Sequence, residues 1–275
     1  MPEGMFMVTA LRLWEAASIG YFAYIAAAAI AIPTLTRAAR ARALALSAAG
    51  LLLALVSMKL PQSAVLHGWV VPPLLLLIGY WSSGVLFTGP MLGVERVLQQ
   101  FDRALQIRRL SARSPRLIAE LLELSYAAVY PMVPIGLALY TSAAAQPTPA
   151  RHAERFWAVI LLVDYVCFAT LPWIQTRPPR QLEPGEPWNA TLRSMNLRLV
   201  NAASIRVNTF PSGHAAEAFA VALMTLEVSP GPVGFGMLLA AVAVSAGAVL
   251  GRYHYAADAL SGWLVAGLVV FSIKL

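Results

Sequence analysis

Apolar residues in this chain come in long runs separated by short polar turns. A hydrocarbon core of about 30 Å needs about 20 residues of helix to cross it. About eight runs approach that requirement: Glu15–Pro33, Leu44–Met58, Trp69–Phe87, Leu117–Tyr140, Phe156–Trp173, His214–Val228, Val233–Leu250 and Tyr255–Ile273. The pattern predicts an all-α, polytopic transmembrane helical bundle. The run that starts at His214 is short and is expected to begin beyond the hydrocarbon edge.

The pattern changes between Gly93 and Arg116. Val94, Val97, Leu98, Phe101, Leu105 and Ile107 recur at near-helical spacing among Glu95, Arg96, Asp102, Arg103, Arg108 and Arg109. That is an amphipathic segment, which either lies along the membrane surface or forms a solvated connector helix. Thr141–His152 reads as a small-residue linker containing proline. The one long polar connection is Gln175–Phe210, and a loop of that length inside a compact unit is functional or disordered. Asn189-Ala190-Thr191 within it matches a glycosylation sequon, which on its own is weak.

Composition narrows the class. Of 275 residues, 59% are hydrophobic and 12% charged, against about 25% charged in soluble domains; mean hydropathy is +0.68. A net charge of +7 and a pI near 9.9 raise the question of nucleic acid. The arginines, however, are scattered over short loops without an aromatic-studded soluble domain, so membrane orientation and anionic headgroups explain them better. Glu3, Arg12 and Glu15 precede or open the first apolar run, which therefore reads as a retained anchor. Cys167, alone inside an apolar run, is a small core residue. No metal-ligand spacing or glycine-rich nucleotide loop occurs, so no metal or cofactor is expected. Asp164 and Glu123 would be costly facing lipid and are expected to point into the bundle.

Three polar islands remain, each at the edge of an apolar run: Thr176-Arg177-Pro178-Pro179-Arg180, Pro211-Ser212-Gly213-His214, and Arg252-Tyr253-His254 with Asp258 a turn later. Residues four apart share a helix face, so Asp258 can orient the His254 imidazole through Nδ1 and leave Nε2 free to attack phosphorus. A bland surface pair at a helix start fits the same spacing. Ser212 is a favoured N-cap, Gly213 permits close approach of a ligand, and first-turn amides attract anions. His214 in that turn is placed to protonate a leaving alkoxide. Arg177, Arg180 and Arg252 offer planar forks for phosphate oxygens; headgroup contact alone explains Arg180 nearly as well. If the spans alternate, all three islands fall on one face of the membrane.

This constellation resembles the type 2 phosphatidic acid phosphatase superfamily, the lipid phosphate phosphatases and related phosphotransferases. Its signature is Lys-x₆-Arg-Pro, then Pro-Ser-Gly-His, then Ser-Arg-x₅-His-x₃-Asp. Pro211-Ser212-Gly213-His214 matches the second motif in full, Arg177-Pro178 the end of the first, and His254-x₃-Asp258 the end of the third. The resemblance implies a six-span core at residues 67–275, with residues 1–66 as accessory spans. It implies His254 as a nucleophile forming phosphohistidine, Asp258 as its orienting partner and His214 as the acid. Arg177, Arg252, Ser212 and Gly213 would bind phosphate, with Arg180 a candidate substitute for the family lysine, whose position holds Thr170. The Arg252-Tyr253-His254-Tyr255 form looks more like the branch of inositol phosphorylceramide and sphingomyelin synthases, in which an alcohol replaces water as acceptor.

The implied substrate is a lipid phosphate, handled without metal by a multi-pass protein of a bacterial inner or plasma membrane. A transporter or scaffold on the same fold is the non-enzymatic alternative. Arg37, Arg40, Arg42, Arg96, Arg103, Arg108, Arg109, Arg113 and Arg116 gather on the side of the islands, so the positive-inside rule places the catalytic face in the cytoplasm. The lipid, the acceptor and the oligomeric state are not legible.

Overall fold

A computed structural model describes residues 11–61, 63–143, 149–183 and 185–274. Glu3 and the middle of the Thr141–His152 linker lie outside the described residues. The chain forms α1 (Leu13–Ala31), α2 (Arg37–Ser57), a π-helical turn (Leu66–Val70) running into α3 (Val71–Gly84), α4 (Leu92–Ala104), α5 (Ile107–Arg113), α6 (Arg116–Ala127), α7 (Val129–Ser142), α8 (Pro149–Ala169), α9 (Thr191–Ala203), α10 (Gly213–Val228), α11 (Pro232–Leu250) and α12 (Ala256–Ser272). Among the described residues there is no strand, only one isolated bridge between Thr176 and Asn208. The architecture is that of a helical membrane bundle.

By length and composition, three described helices suffice to cross a membrane: α1, α2 and α11. The run Leu117–Tyr140 is not one helix but the pair α6 and α7, bent by 57°, which makes a fourth span if taken together. The eight expected from the apolar runs therefore overstate what length and apolarity license. At 1.5 Å per residue, the 16 residues of α10 and 17 of α12 reach only about 25 Å. The 21-residue α8 opens on Arg151, Glu154 and Arg155. Helix α10 lies inside the bundle, packed against α7, α8, α11 and α12, whereas α12 turns Leu260, Leu264, Leu268 and Phe271 outward.

Close helix approach is purchased with small side chains, as expected where lipid supplies no hydrophobic drive. A Cβ on Gly262 of α12 would stand 2.7 Å from the Ser212 carbonyl oxygen and 3.1 Å from the Ala216 nitrogen. That glycine lets α12 press against the first turn of α10. Elsewhere aromatic pairs fill the interior: Tyr21 stacks on Tyr165 with centroids 4.1 Å apart, and its hydroxyl donates to Gly79 O at 2.9 Å.

The amphipathic segment breaks at Gln106, whose φ of 54° ends α4. Its sides are inverted relative to a soluble helix. Glu95, Leu98 and Asp102 are the buried residues of α4, while Leu92, Val97, Phe101 and Leu105 are exposed. An apolar outer face suits a helix lying in a membrane surface better than a solvated connector.

Candidate active site

The three islands meet at one end of the bundle, and backbone hydrogen bonds fasten them together. Arg180 N–H donates to Arg252 O at 3.0 Å, Ser212 N–H to Asp258 O at 2.9 Å and Asn208 N–H to Thr176 O at 2.9 Å. Gln175 ties the first island to the segment after α3: its Oε1 accepts from the Thr88 and Gly89 amides at 2.7 and 3.1 Å. Thr170, expected from the resemblance to stand at a lysine position, donates its hydroxyl to the carbonyls of Cys167 and Phe210. It is a fastening residue here.

His214, in the first turn of α10, and His254, in the turn between α11 and α12, have ring centroids 6.0 Å apart. Both line one cavity of about 440 Å³ together with Arg180 and Gly213. Most of the remaining wall is apolar, including Trp69, Trp81, Tyr130 and Phe168. His254 Nδ1 lies 3.4 Å from Asp258 Oδ2, a distance that a substrate must shorten to make a firm hydrogen bond. The same Oδ2 accepts from the Tyr255 amide at 2.8 Å, so Asp258 is fixed while it faces the imidazole. Burial, with the positive charge of Arg180 beside it, pushes the His254 imidazole down to about 3. A neutral ring at pH 7 retains the lone pair that attack requires.

The arginines separate into two kinds. Arg177 is held at three points by Glu95, which accepts from its Nε at 3.0 Å, its Nη2 at 2.8 Å and its backbone amide at 2.8 Å. This pairing holds the Glu95 carboxyl below its ordinary range. Arg252 donates to Glu183 Oε2 at 3.1 Å and to Gly185 O at 2.8 Å. Neither lines the cavity. Arg180 does, and the one hydrogen bond its side chain donates among the described residues runs 3.3 Å to Tyr253 O. Its guanidinium also stands 5.5 Å over the Tyr253 ring. Most of its fork is thus without a protein acceptor on the wall of the cavity that the two histidines line, although sequence reasoning ranked Arg180 the weakest of the three.

Ser212 caps α10 by accepting from the Ala215 amide at 3.3 Å and is fully buried outside the cavity lining. The amides of Gly213 and His214, at the start of the helix, have no intrahelical acceptor and stand at the positive end of its dipole.

Sequence reasoning missed the scaffold behind the histidines. Glu123 accepts from Trp188 Nε1 at 2.9 Å, Arg193 Nη1 at 3.2 Å, Asn196 Nδ2 at 2.7 Å and the Tyr253 hydroxyl at 2.7 Å. Trp188, Arg193 and Asn196 belong to the polar Gln175–Phe210 connection, which carries α9. Tyr253 in turn stacks on Tyr126 with centroids 3.9 Å apart, and Tyr126 stacks on His214 at 5.6 Å. Asp102 caps α12 by accepting from the Ala256 amide at 2.9 Å. The signal for these partners was a carboxylate in an apolar run, which must find donors somewhere.

Among the described residues, no group of three or more His, Cys, Asp and Glu side chains is arranged to hold a metal. Comparison with protein families finds a match to the PAP2 superfamily over residues 92–272. Neither curated proteins nor solved structures give a match.

Proposed function

This chain belongs to the PAP2 superfamily, and on that premise we propose that it is an integral-membrane lipid phosphate phosphatase working through phosphohistidine. The observation that carries this reading is the pair of histidines 6.0 Å apart on the wall of one largely apolar cavity with Arg180. The acyl part of a lipid phosphate occupies the apolar cavity, and its phosphoryl oxygens meet the Arg180 fork and the first-turn amides of α10.

His254 Nε2 attacks phosphorus as the bond to the lipid oxygen breaks, and His214, whose buried ring is otherwise held neutral, takes up a proton with the bound phosphate and passes it to that oxygen. Asp258 holds the Nδ1 proton and stabilises the charge that develops on the ring. Water then attacks the phosphohistidine and gives its proton to the deprotonated His214, so that the P–N bond breaks, phosphate leaves and both imidazoles return to their starting states. Arg177 and Arg252 are each tied to a carboxylate and stand outside the cavity lining, so Arg180 is the guanidinium assigned to the phosphate. Residues 1–66 act as an accessory pair of helices to the core at 67–275, and the arginine-rich catalytic end faces the cytoplasm.

A second reading, transfer to an alcohol, draws support from the Arg252-Tyr253-His254-Tyr255 form and from the apolar wall around the histidines, which disfavours water. Purified protein incubated with a panel of lipid phosphates, with and without long-chain alcohols, separates the two. Phosphate release supports hydrolysis, a new phosphodiester supports transfer, and neither product from any lipid contradicts both.

A further inference from the structure

Two carboxyls on the cavity wall have no part in the chemistry above. Asp164 of α8 is 1% exposed, and neither carboxyl oxygen has a hydrogen-bond partner among the described residues. Glu217 of α10 lines the same cavity, one helical turn beyond Gly213 and on the same helix face. The two are close. A Cβ on Gly213 would stand 3.1 Å from Asp164 Oδ1, so the Asp164 carboxyl lies against the turn that carries His214. Glu123 is equally buried at 1%, yet four side chains donate to it. The protein satisfies one buried carboxylate completely and leaves the other bare where a ligand fits.

We propose that Asp164 and Glu217 form a subsite that accepts hydrogen bonds from O–H or N–H groups carried by the lipid backbone near its phosphate ester. A buried carboxyl without donors is costly, and a ligand that brings them removes the cost. A turn of helix, about 5.4 Å, separates Gly213 at the phosphate end from Glu217. That span is within reach of a substituent on the second carbon from the ester oxygen. A hydroxyl, amine or amide there supplies donors, whereas a diacylated glycerol phosphate presents only ester acceptors and leaves both carboxyls unpaired. The site therefore selects lipid phosphates with free donors over fully esterified ones. This inference rests on the phosphatase reading and deepens it.

The test is a comparison of kcat/KM for four lipids: phosphatidic acid, lysophosphatidic acid with its free hydroxyl, a long-chain 2-amino alkyl phosphate, and the N-acylated form of the last. The donor-bearing lipids are expected to exceed phosphatidic acid by about 10²-fold or more, because a site built for a donor rejects the analogue that lacks it. Whichever of the three gains most names the donor. Asp164→Leu should shrink the ratio to within about tenfold, and Glu217→Gln should shrink it in part. Because Asp164 has no hydrogen-bond partner among the described residues, Asp164→Leu should also raise Tm; a fall in Tm would mean that the carboxyl serves the fold and would overturn the proposal. Equal kcat/KM across the four lipids, or a ratio unchanged in both variants, overturns the subsite while leaving the phosphatase reading standing. Turnover of none of them sinks both.

Discussion

Glu95 holds Arg177 at three points, through Nε, Nη2 and the backbone amide of the arginine. An arginine so occupied is a fastening for the loop that carries the first island, and the guanidinium on the wall of the cavity that the histidines line is that of Arg180. Substitution of the two should therefore give different phenotypes. Arg180→Ala is expected to lower kcat/KM for a lipid phosphate by about 10²–10³-fold, the loss typical of one preorganised charge-stabilising donor, with Tm little changed. Arg177→Ala leaves Glu95 buried without its partner and should lower Tm by several degrees. Kinetics and thermal unfolding on the same preparations check both; a larger kinetic loss in Arg177→Ala than in Arg180→Ala would reverse the assignment.

Asp258→Asn retains an oxygen for the Tyr255 amide and so keeps the start of α12. It loses the carboxylate that orients and stabilises the imidazole. A fall in kcat of several orders of magnitude is expected, with Tm nearly unchanged. Rates close to those of the unmodified protein would remove Asp258 from the mechanism.

His214 is tested through the leaving group. If it protonates the departing oxygen, His214→Ala should cost about 10²–10⁴-fold with an alkyl phosphate. The cost should be far smaller with p-nitrophenyl phosphate, whose phenolate leaves without a proton. An equal loss on both substrates contradicts the acid role.

The pH profile follows from His254. Burial holds its imidazole at about 3, well under the ordinary value near 6.5. The neutral nucleophile thus persists as pH falls through 6.5. After correction for the second ionisation of the phosphate near 6, kcat/KM should show no acid limb assignable to His254 between pH 8 and 5. An acid limb centred near 6.5 that remains after that correction would show an exposed, ordinary ring.

Asp102 bears on stability in the opposite sense. Burial, together with the charges of Asp258 and Glu183, raises its carboxyl to about 7. Between about pH 4 and 7 the folded chain holds a proton that the unfolded chain releases, so stability falls as pH rises through that window. Asp102→Asn keeps an acceptor for the Ala256 amide and cannot ionise. It should raise Tm most at pH 8, less at pH 5 and hardly at all below about pH 4; the same shift at all three values would show that ionisation of Asp102 costs the fold nothing.

Much of this arrangement was legible from residues alone. Apolar runs located α1, α3, α10, α11 and α12 to within a few residues, because a bilayer tolerates few other forms, whereas α2 and α8 each begin seven residues before the run that marks them. The three islands stood out because arginine, histidine and aspartate at membrane edges have few bland uses. The bend between α6 and α7, near Ala128, was not legible, since the apolar run continues across it without a break. Helix α9 was hidden because its buried side is polar: Arg193 and Asn196 face Glu123, so no apolar stripe marks it. The roles of Arg177 and Arg180 were misweighted for a related reason. A sequence shows which residues carry charge, but not that Glu95, far back in the chain, has already claimed one of them.

The central claim is that an imidazole is phosphorylated in turn and that it belongs to His254. Rapid quenching during turnover of a ³²P-labelled lipid phosphate tests it directly. The label should appear on the protein as an acid-labile, base-stable adduct that maps to His254 and is absent in His254→Ala. Full turnover with no labelled protein, or label on a different residue, would contradict the account.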